Sequence, residues 1–327
     1  MAGHQPLVYF FRLFIYSFPM PAQIHFIVNP HSAGGYTGRV WPEIKQSAEK
    51  LLGPIGFSLT ERTWHAVELT RAALQAGAEL IVSLGGDGTN NEVVNGFFAD
   101  GKLVNPQAQF GVVCSGTGSD FIKTAQIPRA YAEALQILAE ARAKPTDCGR
   151  MTLRDHQGRD VERYYINIAS FGIGGHADNV VNNTTKALGG KVSFILGSVR
   201  ATLSYTNQPV RLQVDDGPLL ERTVFNVAVA NGRFFGAGMQ TAPQAILDDG
   251  LFDVVIVGDL TFLERLQFGG LIYSGRHLSM AKVEFLRGKK VVATSSERVL
   301  LDVDGEQPGL LPASFEVLPG KILMRRP

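Results

Sequence analysis

Residues 80–94 read Leu80-Ile81-Val82-Ser83-Leu84-Gly85-Gly86-Asp87-Gly88-Thr89-Asn90-Asn91-Glu92-Val93-Val94. A mostly apolar run meets a glycine cluster and then a stretch of helical character, which predicts a buried strand turning sharply into a helix. Glycines at such a turn leave backbone N–H groups pointing outward with no Cβ in the way, and the helix dipole adds partial positive charge at the same place. That is a cradle for phosphate. Asp87 inside it would repel phosphate unless a divalent cation lay between them, so the turn implies Mg²⁺ held through water. The competing reading is an ordinary left-handed turn capped by Thr89.

The same grammar extends to both sides. Residues 24–28 read as a buried strand, followed by the Gly-rich loop 29–38 that opens with Asn29, and by a helix whose Val40, Ile44, Ala48 and Leu52 recur every four positions until Gly53. A second strand is expected over 57–63, a helix over 65–76 closed by Gly77, a strand over 110–114, and a helix over 131–143 that turns Leu135 and Leu138 inward. The strand at 110–114 runs into Ser115-Gly116-Thr117-Gly118-Ser119-Asp120. Ligands of open α/β sheets gather at the carboxyl ends of the strands, so the three Gly-rich loops are expected to face one crevice.

Beyond Pro145 the pattern changes to β-rich runs at 164–169, 210–214, 223–230, 252–257, 283–286, 289–294 and 299–303, interrupted by helical stretches at 183–204 and 262–277. The expectation is an α/β domain with a parallel sheet over 22–145 and a mostly antiparallel β-sandwich domain over 146–327, whose last strand, about 318–327, is free to return to the first. Ahead of both lies an apolar extension, 1–21. Its run 7–18 is shorter than the roughly 20 residues a membrane span requires. It also lacks a basic start and an A-x-A cleavage site, so it does not read as a secretory signal. It reads best as sequence translated ahead of a start at Met20, the alternatives being an interfacial anchor or a packed arm.

Composition narrows the partners. The 327 residues carry 31 Lys plus Arg against 30 Asp plus Glu, a formal charge of +1, which leaves no basic excess for a nucleic-acid backbone. Cys114 and Cys148 stand far apart, which excludes a disulfide framework or zinc ribbon and suits a reducing cytoplasm. No GxxxxGK[ST], HExxH or GxSxG motif is present; Gly190-Lys191 continues with Val192. The run 171–177 (FGIGGHA) fits G-x-G-x-x-A, but no carboxylate follows between Asn179 and Val214 to hold a ribose, so a closely packed turn is expected there. Two acidic clusters remain, 247–253 (LDDGLFD) and 302–306 (DVDGE). They are either solvated Asp-Gly turns, or one binds a hard cation and the other supplies a base.

Taken together, GGDGTNNEVVNG at 85–96, NPHSAGG at 29–35, Gly116-Thr117 with Asp120, LDDGLFDV at 247–254 and DGE at 304–306 resemble the diacylglycerol kinase catalytic-domain family, with its YegS-like bacterial lipid kinases and sphingosine kinases. The resemblance implies a fold shared with NAD kinases and a Mg²⁺-dependent transfer of the γ-phosphoryl group of ATP to a lipid hydroxyl. It assigns Asn29, Thr63, Gly85, Gly86, Asp87, Gly88, Thr89, Asn90, Asn91 and Thr117 to the nucleotide, and Glu306, with Asp87, to catalysis. It also implies a structural Mg²⁺ site of Asp249 with main-chain oxygens of Ile246 and Leu251. Ser119 stands where the family usually has Asn, and Cys114-Ser115 where Pro-Leu is common. The implied partner is a membrane lipid such as a diacylglycerol or sphingoid, met by peripheral contact from the cytoplasm, with 262–274 and 194–203 as the apolar stretches to meet it. A homodimer is compatible with this reading. The alternatives are an NAD kinase, or a nucleotide- or lipid-binding protein without turnover, for which Asp87 and Glu306 would have no use.

Overall fold

The computed structural model describes residues 23–115, 119–175 and 205–327; the extension 1–21, Thr117, the helix expected over 183–204 and the apolar stretch 194–203 lie outside them. Strands β1 (Ile24–Val28), β2 (Ile55–Leu59) and β3 (Leu80–Gly85) pair in parallel with β1 in the middle. After the short hairpin β4 (Phe98–Ala99) and β5 (Lys102–Leu103), β6 (Gln109–Cys114) joins β3 on its other side, also in parallel. Every residue of β3 is buried, as expected for a central strand covered on both faces. The register matters most for the site. Val28 lies opposite Leu84, and Gly85 opposite Cys114, so the loops after β1, β3 and β6 leave the sheet at one level.

The helices cover this sheet: α1 (Tyr36–Leu52), α2 (His65–Gln75), α3 (Asp87–Gly96), the single turn α4 (Phe121–Thr124) and α5 (Tyr131–Glu140). From α1, Trp41 inserts between the rings of Phe26 and Phe57, with centroids 5.8 and 5.4 Å away. Leu135 and Leu138 are buried as their spacing predicts. α3 is unusual in burying polar residues, since Asn90, Asn91, Glu92 and Asn95 are all nearly inaccessible. Buried polar groups need partners, and two of these, Asn91 and Asn95, find theirs in the β-rich unit.

The rest is β. Strands β7 (Ala143–Arg154), β8 (Asp160–Tyr165), β10 (Gln208–Val214), β11 (Leu220–Val224), β15 (Lys290–Thr294) and β17 (Leu310–Arg325) continue the first sheet. Strands β9 (Ile168–Gly172), β12 (Asn226–Ala230), β13 (Phe252–Val257), β14 (Val283–Gly288) and β16 (Leu301–Val303) form a second, antiparallel sheet in the order β14-β13-β12-β9-β16. The two pack face to face, Tyr165 on Phe252 and Phe171 on Phe315. On the outer face of the second sheet lies α6 (Phe262–Ile272), started by a Thr261/Glu264 capping box and seated by Phe268 and Ile272. The molecule is thus an α/β unit on a parallel sheet joined to a mostly antiparallel β-sandwich, the fold class expected from the sequence. No helix among the described residues is long and apolar enough to cross a membrane.

Several expected boundaries move, each for a local reason. The strand at 57–63 is Ile55–Leu59, because the chain turns after Thr60 toward α2. The helix at 131–143 stops at Glu140, and Pro145 lies inside β7 rather than closing an element. The run 164–169 splits between β8 and β9, since the N–H groups of Ile166 and Ile168 both turn to the carboxylate of Asp304. The run 223–230 divides at Phe225, whose N–H bonds Val257 and Gly258, so β11 and β12 enter different sheets. The helix at 262–277 ends at Ile272 and is followed by a separate 3₁₀ turn. The expected last strand, about 318–327, is the tail of β17, which pairs along β7 in antiparallel and ends in parallel beside β6. The glycines of 171–177 serve packing, as expected: a Cβ on Gly175 would lie 2.7 Å from the carbonyl carbon of Leu300.

Gly149 shows how tightly the sandwich is built. It faces Tyr165 across the β7–β8 ladder, and a Cβ there would fall 2.2 Å from the ring. The ring is fully buried and stacked on Phe252, so it has nowhere to go. Gly149→Val is expected to cost about 2–3 kcal/mol of stability in urea unfolding, as overpacking does; an unchanged midpoint would show that the ring yields.

Candidate active site

The turn after β3 is tighter than its composition suggests. Gly86 is the N-cap and α3 already starts at Asp87, so Asp87, Gly88 and Thr89 form its first turn rather than a loop ahead of it. A Cβ on Gly85 would sit 2.4 Å from the Thr89 hydroxyl, which explains why the strand ends in glycine. The first N–H groups of a helix have no partner within it, and here they open toward the level where the neighbouring loops leave the sheet.

Those loops are tied to the turn. Asn29 donates its side-chain amide to the Thr89 hydroxyl (3.1 Å) and its backbone N–H to Leu84 (3.0 Å). Ala33, Gly34 and Gly35 follow in three successive left-handed conformations. A hydroxyl chain of Ser32, Thr37 and Ser115 then links this loop to the end of β6. The loops after β1 and β3 and the residue that ends β6 therefore come together.

Asp87 is directed at the segment that follows the third loop. One carboxylate oxygen accepts the backbone N–H of Asp120 (2.8 Å) and the other that of Phe121 (3.3 Å). Burial pushes its pKa up to about 7, against the pull of these two hydrogen bonds, and the nearby charge of Asp120 adds to the rise. Asp120 binds Lys123 (2.6 Å) and accepts the N–H of Ala237 from the β-rich unit (2.8 Å).

From the opposite side comes the turn Val303–Glu306, closed by reciprocal backbone bonds of 2.8 and 3.0 Å. Asp304 (φ 51°) and Gly305 (φ 89°) are both left-handed, the Asp-Gly pair that a type I′ hairpin requires. This turn places Glu306 over the first turn of α3: a Cβ added to Gly88 would lie 3.2 Å from Glu306 Oε1. Glu306 thus stands beside the residue that follows Asp87.

Asp304 anchors the turn. It accepts Asn91 Nδ2 (2.9 Å), Ile168 N–H (2.9 Å) and Ile166 N–H (3.3 Å), and burial still raises its pKa to about 6. Asn91 also donates to the carbonyl of Tyr164 (3.1 Å), and Asn95 exchanges bonds with the same residue (2.7 and 2.9 Å). Asn91, expected at the nucleotide, therefore spends its amide on the clasp between the two units. Asn90 beside it is buried with neither amide atom partnered. Thr63 stands exposed on the turn before α2, with no described hydrogen bond to the other candidates.

The loop expected to hold a structural Mg²⁺ carries ion pairs of its own. The carboxylate of Asp249 is ion-paired with Arg287 and accepts the N–H of Leu251 (3.1 Å), while Arg287 Nε also holds the buried Asp253 (2.8 Å). The loop is further organised by Asp147, which accepts N–H groups of Gly250 (2.7 Å) and Gly320 (2.6 Å). A guanidinium thus shares the carboxylate that the resemblance assigns to the cation. Two residues carry no motif and escaped the sequence reading: Trp64, the N-cap of α2, and Arg163 on β8, whose guanidinium lies 4.3 Å over the Trp64 ring.

A family model described as "Diacylglycerol kinase catalytic domain" matches residues 23–151, and one described as "YegS C-terminal NAD kinase beta sandwich-like domain" matches 167–325. A "Diacylglycerol kinase" of Staphylococcus carnosus is 28% identical over 296 residues, 90% of this chain and 92% of that one. A "Probable lipid kinase YegS-like" of Chromohalobacter salexigens is 32% identical over 274 residues, 81% of this chain and 82% of that one. The crystal structure of a diacylglycerol kinase from Bacillus anthracis shares the fold, with a TM-score of 0.67 at 18% identity over 93% of this chain and 96% of that one. With both units matched in order and a 32% identical relative aligned over 82% of its length, the chain belongs to the family of diacylglycerol kinases and YegS-like lipid kinases.

Proposed function

We propose that this protein transfers the γ-phosphoryl group of ATP to the hydroxyl of a membrane lipid of the diacylglycerol or sphingoid type. The observation that carries this reading is the carboxylate of Glu306 standing over the first turn of α3. An alcohol is a weak nucleophile until a base takes its proton. In the transfer, Glu306 takes the proton of the lipid O–H, the lipid oxygen bonds to the γ-phosphorus, and the bond from that phosphorus to the bridging oxygen breaks, leaving ADP. The protein's share is positioning and charge, as phosphoryl transfer demands. Backbone N–H groups at the α3 terminus orient the phosphates. Mg²⁺ arriving with ATP supplies further charge neutralisation when bound, and Asp87, whose two oxygens each keep a lone pair after accepting one N–H, suits a contact through water.

Purified protein given γ-labelled ATP, Mg²⁺ and a lipid panel should yield a labelled, organic-soluble product. Label found on NADP instead would make the protein an NAD kinase, and nucleotide binding without any transfer would make it a binding protein.

The lipid must be met at a membrane surface. The outward face of α6 and the turn beyond it expose Phe262 (51%), Leu263 (74%), Leu266 (58%) and Tyr273 (54%), apolar side chains that helical spacing groups together. A helix apolar on its outer as well as its inner face has a use for that surface. Changing Leu263 and Leu266 together to Glu should cut sedimentation with diacylglycerol-containing vesicles at least tenfold while leaving the unfolding midpoint nearly unchanged. Undiminished sedimentation would place the membrane contact elsewhere.

A further inference from the structure

Glu306 and the phosphates of a nucleotide are both negative, yet the transfer proposed above brings them to opposite sides of a single hydroxyl. Like charges at such range repel strongly where water is excluded. A cation from the protein adds to what Mg²⁺ supplies, and several cations among the described residues are already engaged. Lys123 is held by Asp120 at 2.6 Å, and Arg62 pairs with Glu68 at 2.7 Å. The ring of His65 accepts the N–H of Glu61 (3.1 Å). Arg163 forms no ion pair among the described residues; it donates one bond to the carbonyl of Glu162 (3.1 Å), and its Nε is buried without a partner. The acids that act on it are first Glu306 and then Asp155.

Its position is fixed from two sides. Tyr164, the next residue on β8, is held by Asn91 and Asn95 of α3 and stacks on Phe98 with ring centroids 3.8 Å apart. The guanidinium itself lies over Trp64, a bulky residue kept in the left-handed region (φ 63°) at the start of α2. Such a conformation persists only where its surroundings enforce it. An aromatic face holds a guanidinium without consuming its N–H donors, and those donors in their planar fork match phosphoryl oxygens.

Resting on the lipid-kinase reading, we propose that Arg163, clamped on Trp64, is a further catalytic residue, the cation that meets the phosphoryl group in transit between the α3 turn and Glu306. The side chain is poised before any substrate arrives, so it stabilises charge as that charge moves.

The test uses the full chain and two readouts. In the first, Arg163→Met lowers turnover with γ-labelled ATP and diacylglycerol vesicles about 10²-fold, Arg163→Lys falls between the two, and Trp64→Leu loses about tenfold. Guanidinium ion added to Arg163→Ala restores part of the rate. In the second, ADP with aluminium fluoride, a mimic of the phosphoryl group in flight, raises the unfolding midpoint of the wild-type protein beyond the effect of ADP alone. Arg163→Met loses that extra rise and keeps the ADP effect. If Arg163→Met keeps turnover within threefold, or loses ADP affinity in parallel, Arg163 is structural and the proposal falls. Should Met at this position prevent folding, the Lys and Trp64 variants decide the same question. A wild-type protein that labels no lipid, yet shows the Arg163-dependent fluoride effect, overturns the lipid reading and leaves this assignment standing.

Discussion

Glu306→Gln should lower turnover by about 10²–10⁴ while nucleotide affinity stays within about threefold. The substitution keeps the size and shape of the side chain and removes only its capacity to accept a proton. The hairpin that presents it is closed by backbone bonds between Val303 and Glu306, which the change leaves intact. Its neighbour Gly88 meets only the far end of the side chain, at 3.2 Å from the position of a Cβ. A pre-steady-state measurement with excess enzyme would separate chemistry from product release. A variant that transfers phosphate at a normal rate but binds ATP poorly would move Glu306 from the acceptor to the nucleotide.

The second large effect concerns stability. Asp304→Ala should cost about 3 kcal/mol at pH 5, because it removes the acceptor of the N–H groups of Ile166 and Ile168 in the interior and leaves Asn91 Nδ2 only its bond to Tyr164. The cost should shrink as pH rises, and the sign follows from the native pKa. Burial lifts Asp304 from 3.8 to about 6, so the unfolded chain gives up this proton first and the wild-type fold loses stability as pH climbs from about 4 through about 6. Asp87, lifted from 3.8 to about 7, extends the loss toward neutrality. The alanine variant has no carboxyl at 304 to ionise and escapes that share of the decline. Urea unfolding at pH 5 and pH 8 would measure both; an equal cost at the two pH values would mean that Asp304 is ionised throughout and strongly stabilised by its donors.

Much of the site was legible because it follows from chain-local chemistry. An apolar run ending in Gly85-Gly86 and continuing into Asn91 allows few alternatives to a strand-to-helix turn, and Asp304-Gly305 is the residue pair of a tight hairpin. Distant pairings were not legible. Nothing near Asn91 announces that its amide belongs to Tyr164 and Asp304, and nothing near Asp249 reveals that Arg287 folds back onto it. Strand β17 was visible only at its end, since Pro312, Pro319 and Gly320 interrupt any simple alternation and a register shift separates Leu318 from Ile322. Arg163 looks like any charged residue on a strand until the fold lays it on Trp64.

The path of β17 also sets how the protein can fail. It occupies the interior of the large sheet, with β15 and β6 along one side and β7 along the other. A stop codon at Gly320 would therefore not trim a loose end. It would strip the backbone cover from β6 and from the first residues of β7, baring strand edges of the kind that recruit other chains. Late truncations should then yield insoluble aggregates rather than weakened enzyme, and short deletions there should be tolerated far less well than deletions of comparable size in the exposed turn at residues 215–218.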